Sequence, residues 1–175
     1  MGEPYNIIVA DPPWNESGGG KIKRGADRHY SLMKTPQIIE AMRSQIDDRT
    51  TDTALMFLWV TNNFLVDGLD VMRECGFEYI TNIVWVKDRF GLGYYFRGQH
   101  ELCLFGRKKP PGRPPKTETT YTTVLGGGVI PRGRHSQKPS ALQEMIEDRW
   151  AGPYLELFAR TARPGWDAWG NEVAS

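Results

Sequence analysis

An apolar run, Ile7-Ile8-Val9-Ala10, delivers Asp11-Pro12-Pro13-Trp14 at the first point where the chain can leave a strand. The tetrapeptide combines a carboxylate, a carbonyl held rigid by two prolines that carry no backbone N–H, and a broad aromatic face. Such a set can grip the amine of a planar base. The exocyclic amine of adenine is a poor nucleophile because its lone pair is delocalised into the ring. A carboxylate and a carbonyl that accept its two N–H bonds would localise that pair for alkylation, while the tryptophan stacks on the ring. The same four residues also suit a rigid turn with a capping aspartate and a core tryptophan, and the tetrapeptide alone leaves both readings open.

Positioning these groups requires a frame, and the sequence alternates short apolar runs with amphipathic segments, the pattern of an α/β fold. Strands are predicted at Tyr5–Ala10, Ala54–Val60, Glu78–Val86, His100–Phe105 and Tyr154–Phe158, with a short element at Trp166–Trp169. Helices are predicted at Pro36–Ile46, Asn63–Cys75 and Pro139–Trp150, with Thr35 as an N-cap and Gly76 as a terminating glycine. Open α/β sheets bind ligands at the carboxyl ends of their strands, which is where Asp11 falls. Glu156, near the end of another strand and bracketed with Arg160 around Leu157, Phe158 and Ala159, suits two sugar hydroxyls, or else a surface ion pair with Arg160. Asn62 and Asn63 follow the second strand and could meet a substrate or cap the next helix, whereas Phe57 to Val60 reads as core.

The chain has 175 residues, a length suited to one domain with a sizeable core, and 22 Lys+Arg against 21 Asp+Glu for a net charge of +1. That balance conceals a segregation. Arg107 to Lys138 holds eight basic residues and one acidic, +7 beside −6 for the remainder. With Pro110-Pro111, Pro114-Pro115 and Gly126-Gly127-Gly128 this stretch reads as loop, as does a second insertion, Asn15 to His29, carrying Lys21, Lys23, Arg24 and Arg28. No apolar run is long enough to span a bilayer and the N-terminus lacks signal-peptide character, so a cytoplasmic protein without membrane attachment is expected. Cys75 and Cys103 lie on separate apolar stretches and read as buried thiols; with three scattered histidines, no metal site is expected.

From Asp11-Pro12-Pro13-Trp14 the series continues through Phe57-Leu58-Trp59-Val60-Thr61-Asn62, Trp85-Val86-Lys87, His100-Glu101, His135-Ser136-Gln137-Lys138-Pro139, Glu156-Leu157-Phe158-Ala159-Arg160 and Trp169-Gly170-Asn171-Glu172. In this order the motifs resemble the adenine-N6 methyltransferase family that includes the catalytic subunit of the eukaryotic mRNA writer and many bacterial and phage proteins. The resemblance spans nearly the whole chain. It implies a single Rossmann-like methyltransferase domain over residues 1–175, a mixed but mostly parallel sheet flanked by helices, and a permuted motif order in which the catalytic tetrapeptide precedes the cofactor-binding part.

The resemblance further implies S-adenosylmethionine as cofactor, with Asp11, Pro12, Pro13 and Trp14 catalytic. Lys138 matches the lysine that meets the methionyl carboxylate, and Glu156, Phe158 and Arg160 fall where the adenosyl moiety is held. Asn171 and Glu172 match the closing element that reads the cofactor's adenine, and Asp11 borders the cofactor as well. His135 is a weaker candidate ligand. Thr161-Ala162-Arg163 departs from the polar His-Asn pair of the eukaryotic writer.

A nucleic acid is the implied partner, and the basic loops supply cations for its phosphates: Lys21, Lys23, Arg24 and Arg28 in one, Arg107, Lys108, Lys109 and Arg113 in the other, with Asn62 beside the base. The compact architecture is similar to the bacterial and phage branch, which favours DNA in a bacterial or phage-infected cell. RNA, or a non-catalytic role as the nucleic-acid-binding subunit of a pair, are the alternatives, and either a homodimer or a partner subunit is compatible with the chain.

Overall fold

The computed structural model describes residues 2–15, 32–91, 93, 95–108, 120–133 and 137–170. The expectations placed on Lys21, Lys23, Arg24, Arg28, Lys109, Arg113, His135, Asn171 and Glu172 fall outside the described residues.

Among the described residues, seven strands form one sheet: β1 (Tyr5–Ala10), β2 (Thr50–Val60), β3 (Glu78–Val86), β4 (His100–Arg107), β5 (Val124–Val129), β6 (Tyr154–Leu157) and β7 (Trp166–Trp169), ordered β5-β3-β4-β2-β1-β6-β7. Of these, β4 alone runs against the rest, since its pairings with β2 and β3 are antiparallel and all others are parallel. The fold is therefore the mixed, mostly parallel α/β sheet that the sequence predicts. β1 is buried along almost its whole length, as a central parallel strand covered on both faces must be.

Helices α1 (Thr35–Ile46) and α2 (Leu65–Glu74) cover one face, and α3 (Ala141–Arg149) lies on the other. Alternation along the strands divides the core accordingly. Ile8, Ala10, Met56, Leu58, Leu155 and Leu157 pack with Ile38 and Met42 of α1 and Val71 and Met72 of α2. Ile7, Val9, Phe57 and Trp59 point the other way, to Leu142, Met145 and Ile146 of α3. Both thiols are buried, and burial pushes Cys75 up to about 12, so neither is a ready nucleophile.

Four sequence expectations are corrected. The Arg107–Lys138 stretch is not all loop, because Val124–Val129 forms β5 on the edge of β3, pairing at Val84 and Val86. Three glycines hide that strand from any propensity reading. β2 begins at Thr50 rather than Ala54, its polar first turn recruited by pairing of Thr50 with Tyr5. Thr35 is not the N-cap but the first helical residue; Lys34 caps, its backbone N–H donating to Gln37 Oε1 at 2.9 Å. The Thr35 hydroxyl instead donates to Asp67 Oδ1 at 2.6 Å and ties α1 to α2. Pro139 precedes α3, which starts at Ala141. Gly76 ends α2 as expected, with a left-handed φ of 79°.

Candidate active site

The carboxyl ends of β1, β2, β3, β6 and β7 and the amino end of β4 share one edge of the sheet, as the parallel registers and the pairing of Val86 with His100 require. Asp11 leaves β1 there, its backbone N–H donating to Leu157 O at 3.4 Å. The next three residues form a tight, internally bonded turn. Trp14 N–H donates to Pro12 O at 2.9 Å, and Pro13 O accepts the N–H of Met33 at 2.9 Å. Each carbonyl keeps a second lone pair, so the prolines still offer fixed acceptors.

The Trp14 indole is only 8% exposed; its Nε1–H donates to Trp59 O at 3.0 Å and its ring stacks on Phe64 with centroids 5.3 Å apart. One face is thus occupied by protein. The expectation of an open stacking platform gives way to a ring that pins the tetrapeptide to the end of β2.

Around Asp11 lies a half-buried charge network assembled from distant segments. Lys138, in the loop before α3, donates to Asp11 Oδ1 at 2.7 Å and lies 3.3 Å from Glu101 Oε2. Glu101, the second residue of β4, also binds Lys87 just after β3. The Lys138 ammonium sits over the Trp59 ring, 5.6 Å from its centroid. Burial acts to lower the Lys138 pKa, but the Asp11 and Glu101 carboxylates outweigh it and hold the ammonium above its usual range. Burial likewise acts to raise Glu101, and the Lys138 and Lys87 ammoniums prevail and hold it below the carboxylate range. The network therefore holds both Glu101 and Lys138 charged at neutral pH. Its stabilisation through Glu101 is present above the ordinary glutamate range and is lost as pH falls through the lowered value; that through Lys138 is lost only as pH rises through its raised value.

Glu156 is set apart electrostatically. It stands on the α3 face of β6, with Gln143 Nε2–H donating to Oε2 at a long 3.4 Å. Burial raises its pKa above the usual glutamate range, the Gln143 bond opposes this, and the Asp11 charge adds to it. Gln143 Oε1 and Thr61 Oγ1 are buried without a hydrogen-bond partner among the described residues. An under-satisfied carboxylate beside the orphaned Gln143 oxygen fits a polar ligand such as a ribosyl group. Phe158 follows with a left-handed φ of 60°, disfavoured for an aromatic residue, and its ring meets Trp169 edge-on at 5.3 Å. Arg160 lies three residues beyond the end of β6, half-buried. Asn62 begins a short 3₁₀ turn, Asn62–Phe64, exposed on the same edge and next to the Phe64 that backs Trp14.

Arg107 and Lys108 are not part of this constellation. β4 runs away from the site, and Arg107 ends it opposite Leu55 and Glu78, six residues and roughly 20 Å beyond Glu101. There Arg107 lies 3.9 Å from Glu78, and the Lys108 ammonium donates to Thr50 Oγ1 at 2.5 Å. The reversal of one strand, invisible in the local sequence, carries them to the opposite edge. Thr61, Lys87 and Glu101 stand in the motif series of the sequence without a role being assigned to Lys87 or Thr61, and Gln143 carries no signal at all; Lys87 and Glu101 also bound neighbouring apolar runs.

Residues 5–172 match the MT-A70 family. The chain belongs to the MT-A70 family. A type II methyltransferase, M.MunI, from a Mycoplasma species is 31% identical over 97% of this chain and 78% of its own length. The mouse N(6)-adenine-specific methyltransferase METTL4 is 31% identical over 98% of the chain, and an Arabidopsis thaliana N(6)-adenosine-methyltransferase MT-A70-like protein is 29% identical over 97%. The chain spans 38% of the mouse relative and 24% of the plant one, so it corresponds to a part of those MT-A70 proteins. Among the described residues no helix is long and apolar enough to cross a membrane, and no group of His, Cys, Asp or Glu could hold a metal ion.

Proposed function

We propose that this MT-A70 chain transfers a methyl group from S-adenosylmethionine to the N6 amine of adenine in nucleic acid, with DNA as the favoured polymer. The observation that carries this reading is the Asp11 carboxylate, fixed on one oxygen by Lys138 at the carboxyl end of β1 and flanked by the Pro12 and Pro13 carbonyls. A carboxylate pinned through Oδ1 can turn Oδ2 to an incoming amine without first losing rotamer freedom. S-adenosylmethionine would supply an electrophilic methyl group on a sulfonium centre. Asp11 and a proline carbonyl accept the two N–H bonds of the amine and hold its lone pair toward that methyl. They favour the transition state because the nitrogen's acidity grows as it becomes tetrahedral; the methyl–sulfur bond would break with its electron pair kept by sulfur, leaving a neutral thioether, and the proton displaced from nitrogen would pass along the Asp11 hydrogen bond to solvent. Asp11 carries the negative charge that this developing positive charge requires, and the network around Lys138 fixes its position.

Lys138 uses two donor directions on Asp11 and Glu101 and keeps a third for the methionyl carboxylate. Glu156, in its charged form, accepts from the ribose hydroxyls, and Phe158 and Arg160 border the adenosyl group. Because the raised pKa of Glu156 places its protonation above the usual glutamate range, cofactor affinity should weaken on acidification earlier than for an exposed glutamate. Isothermal calorimetry across pH checks this: Glu156→Gln should bind weakly at every pH and lose that acid limb, while Lys138→Ala should lose affinity with the limb retained.

DNA is favoured through the resemblance to the bacterial branch, and the large share of the Mycoplasma relative that this chain covers supports it. The RNA reading draws on relatives named as adenosine methyltransferases, one of them an RNA methyltransferase of Cryphonectria parasitica at 28% identity. Matched DNA and RNA strands incubated with methyl-labelled S-adenosylmethionine decide between them. Faster incorporation into DNA is expected; label in RNA alone would reverse the choice, and label in neither would refute the transfer activity. The same assay tests the alternative of a non-catalytic partner subunit.

A further inference from the structure

The segment joining β3 to β4 leaves the sheet at Lys87 and returns at His100, immediately beyond the Lys87–Glu101 pair and on the same edge as Asp11. Three large apolar side chains stand out from it: Phe90 is 60% exposed, Phe96 86% and Tyr95 fully exposed. Exposed rings gathered within seven residues of a loop are unusual, since such surface is normally buried or assigned to a partner. Several bonds tie the described residues of this loop together. Gly91 N–H donates to Gly98 O at 2.6 Å, Arg97 Nε–H to Gly91 O at 2.7 Å, and Gln99 Nε2–H to Lys87 O at 3.1 Å. Gly93 lies so close to the Phe96 carbonyl that a Cβ would meet its oxygen at 2.0 Å, and Tyr95 holds a left-handed φ of 56°. Tyr95 thus holds a conformation that bulky residues avoid, with its ring fully in solvent.

The charge beside these rings is cationic. Arg97 lies over Phe90, 5.0 Å from the ring centroid, and Arg89 and Arg132 are exposed around the single acid Asp88, 3.4 Å and 3.5 Å from it. Two arginines for one carboxylate, with a third on an aromatic ring, leave a surplus of positive charge. The strand order puts β4 two strand spacings from β1, roughly 10 Å, so a strand whose adenine reaches Asp11 can lay its neighbouring nucleotides on this loop. Aromatic faces interleaved with arginines are the composition that holds unpaired nucleotides, by stacking bases and tracking phosphates.

We infer that the β3–β4 loop is the platform for unpaired nucleotides flanking the target adenine, with Tyr95 and Phe96 stacking on bases and Arg89, Arg97 and Arg132 meeting the phosphates. The inference rests on the proposed nucleic-acid substrate and specifies that the strand is single or locally opened around its target.

Fluorescence anisotropy with a labelled adenine-containing single strand tests it, alongside the same strand with abasic positions flanking the adenine. Loss of each ring should weaken binding about tenfold, so Tyr95→Ala/Phe96→Ala should bind about a hundredfold more weakly. The abasic strand should lose affinity for the wild type and lose nothing further for this variant. Tyr95→Phe/Phe96→Tyr, which keeps both rings, should restore binding. Melting should be unchanged in both variants because the rings pack on nothing buried. If the alanine variant binds like wild type, or if it still shows the full abasic penalty, the inference falls while the methylation reading stands. It falls equally if sedimentation shows that the rings join two protein chains and strand affinity is untouched. A wild type that methylates no adenine-containing strand refutes the reading beneath it instead.

Discussion

Asp11→Ala should lower the single-turnover rate of adenine methylation by at least about a hundredfold while S-adenosylmethionine binding is largely kept. Removing one preorganised acceptor or donor from a transition state typically has an effect of that order. The fold should survive because Lys138 retains Glu101 at 3.3 Å as a counter-charge, so the substitution does not strand a lone buried ammonium. Asp11→Asn refines the test. The amide preserves shape, but its single oxygen is claimed by the Lys138 ammonium, so its NH2 faces the amine where an acceptor is needed, and it carries no charge to set against the amine as it becomes positive. Its rate should fall at least as far as that of the alanine variant, which shows that an acceptor oxygen and not the side-chain shape is what the amine needs. Rapid-quench measurement with saturating cofactor reads these rates without interference from product release, and a wild-type rate for the alanine variant would remove Asp11 from the mechanism.

The second large effect concerns stability. Trp14→Ala removes a ring that is almost wholly buried, stacked on Phe64 and bonded through Nε1 to Trp59 O. Truncation of a buried tryptophan typically costs about 3–5 kcal/mol. Trp14→Phe keeps the stacking and forfeits the indole bond, a loss of about 1 kcal/mol. Denaturant melts should rank wild type, phenylalanine and alanine in that order, and activity should follow the displacement of the Asp11 turn. If alanine melts like wild type, the tryptophan does not pin the turn.

How far the sequence foretells this site depends on the range of the interaction concerned. β1 and its Asp-Pro-Pro-Trp exit are legible because an apolar run and its break are local signals, and the helices are marked by their apolar spacing and by Gly76. β5 is not legible, since its glycines favour no strand and only the edge of β3 organises them. The position of Arg107 and Lys108 has a similar origin: a basic run declares its charge, but the direction of β4 decides which edge receives it. Lys138 is anticipated through the family resemblance as a cofactor ligand. Its joint hold on Asp11 and Glu101, 127 residues away in the first case, exists only because the strand order brings the ends of β1 and β4 together. Trp14 shows the opposite limit. Its residue type suits stacking on a base as well as on Phe64, and only the closed geometry selects the second.

The central claim, that the carboxylate at the end of β1 directs a methyl group onto the exocyclic amine of adenine, is tested most directly by the position of the methyl group. Wild-type protein, methyl-labelled S-adenosylmethionine and an adenine-containing strand should be taken through one turnover, digested to nucleosides and resolved by chromatography with mass detection. The label should appear as N6-methyladenine and be absent from the Asp11→Ala reaction. Label on a ring nitrogen or on another base, or N6-methyladenine formed equally well without Asp11, would contradict the claim.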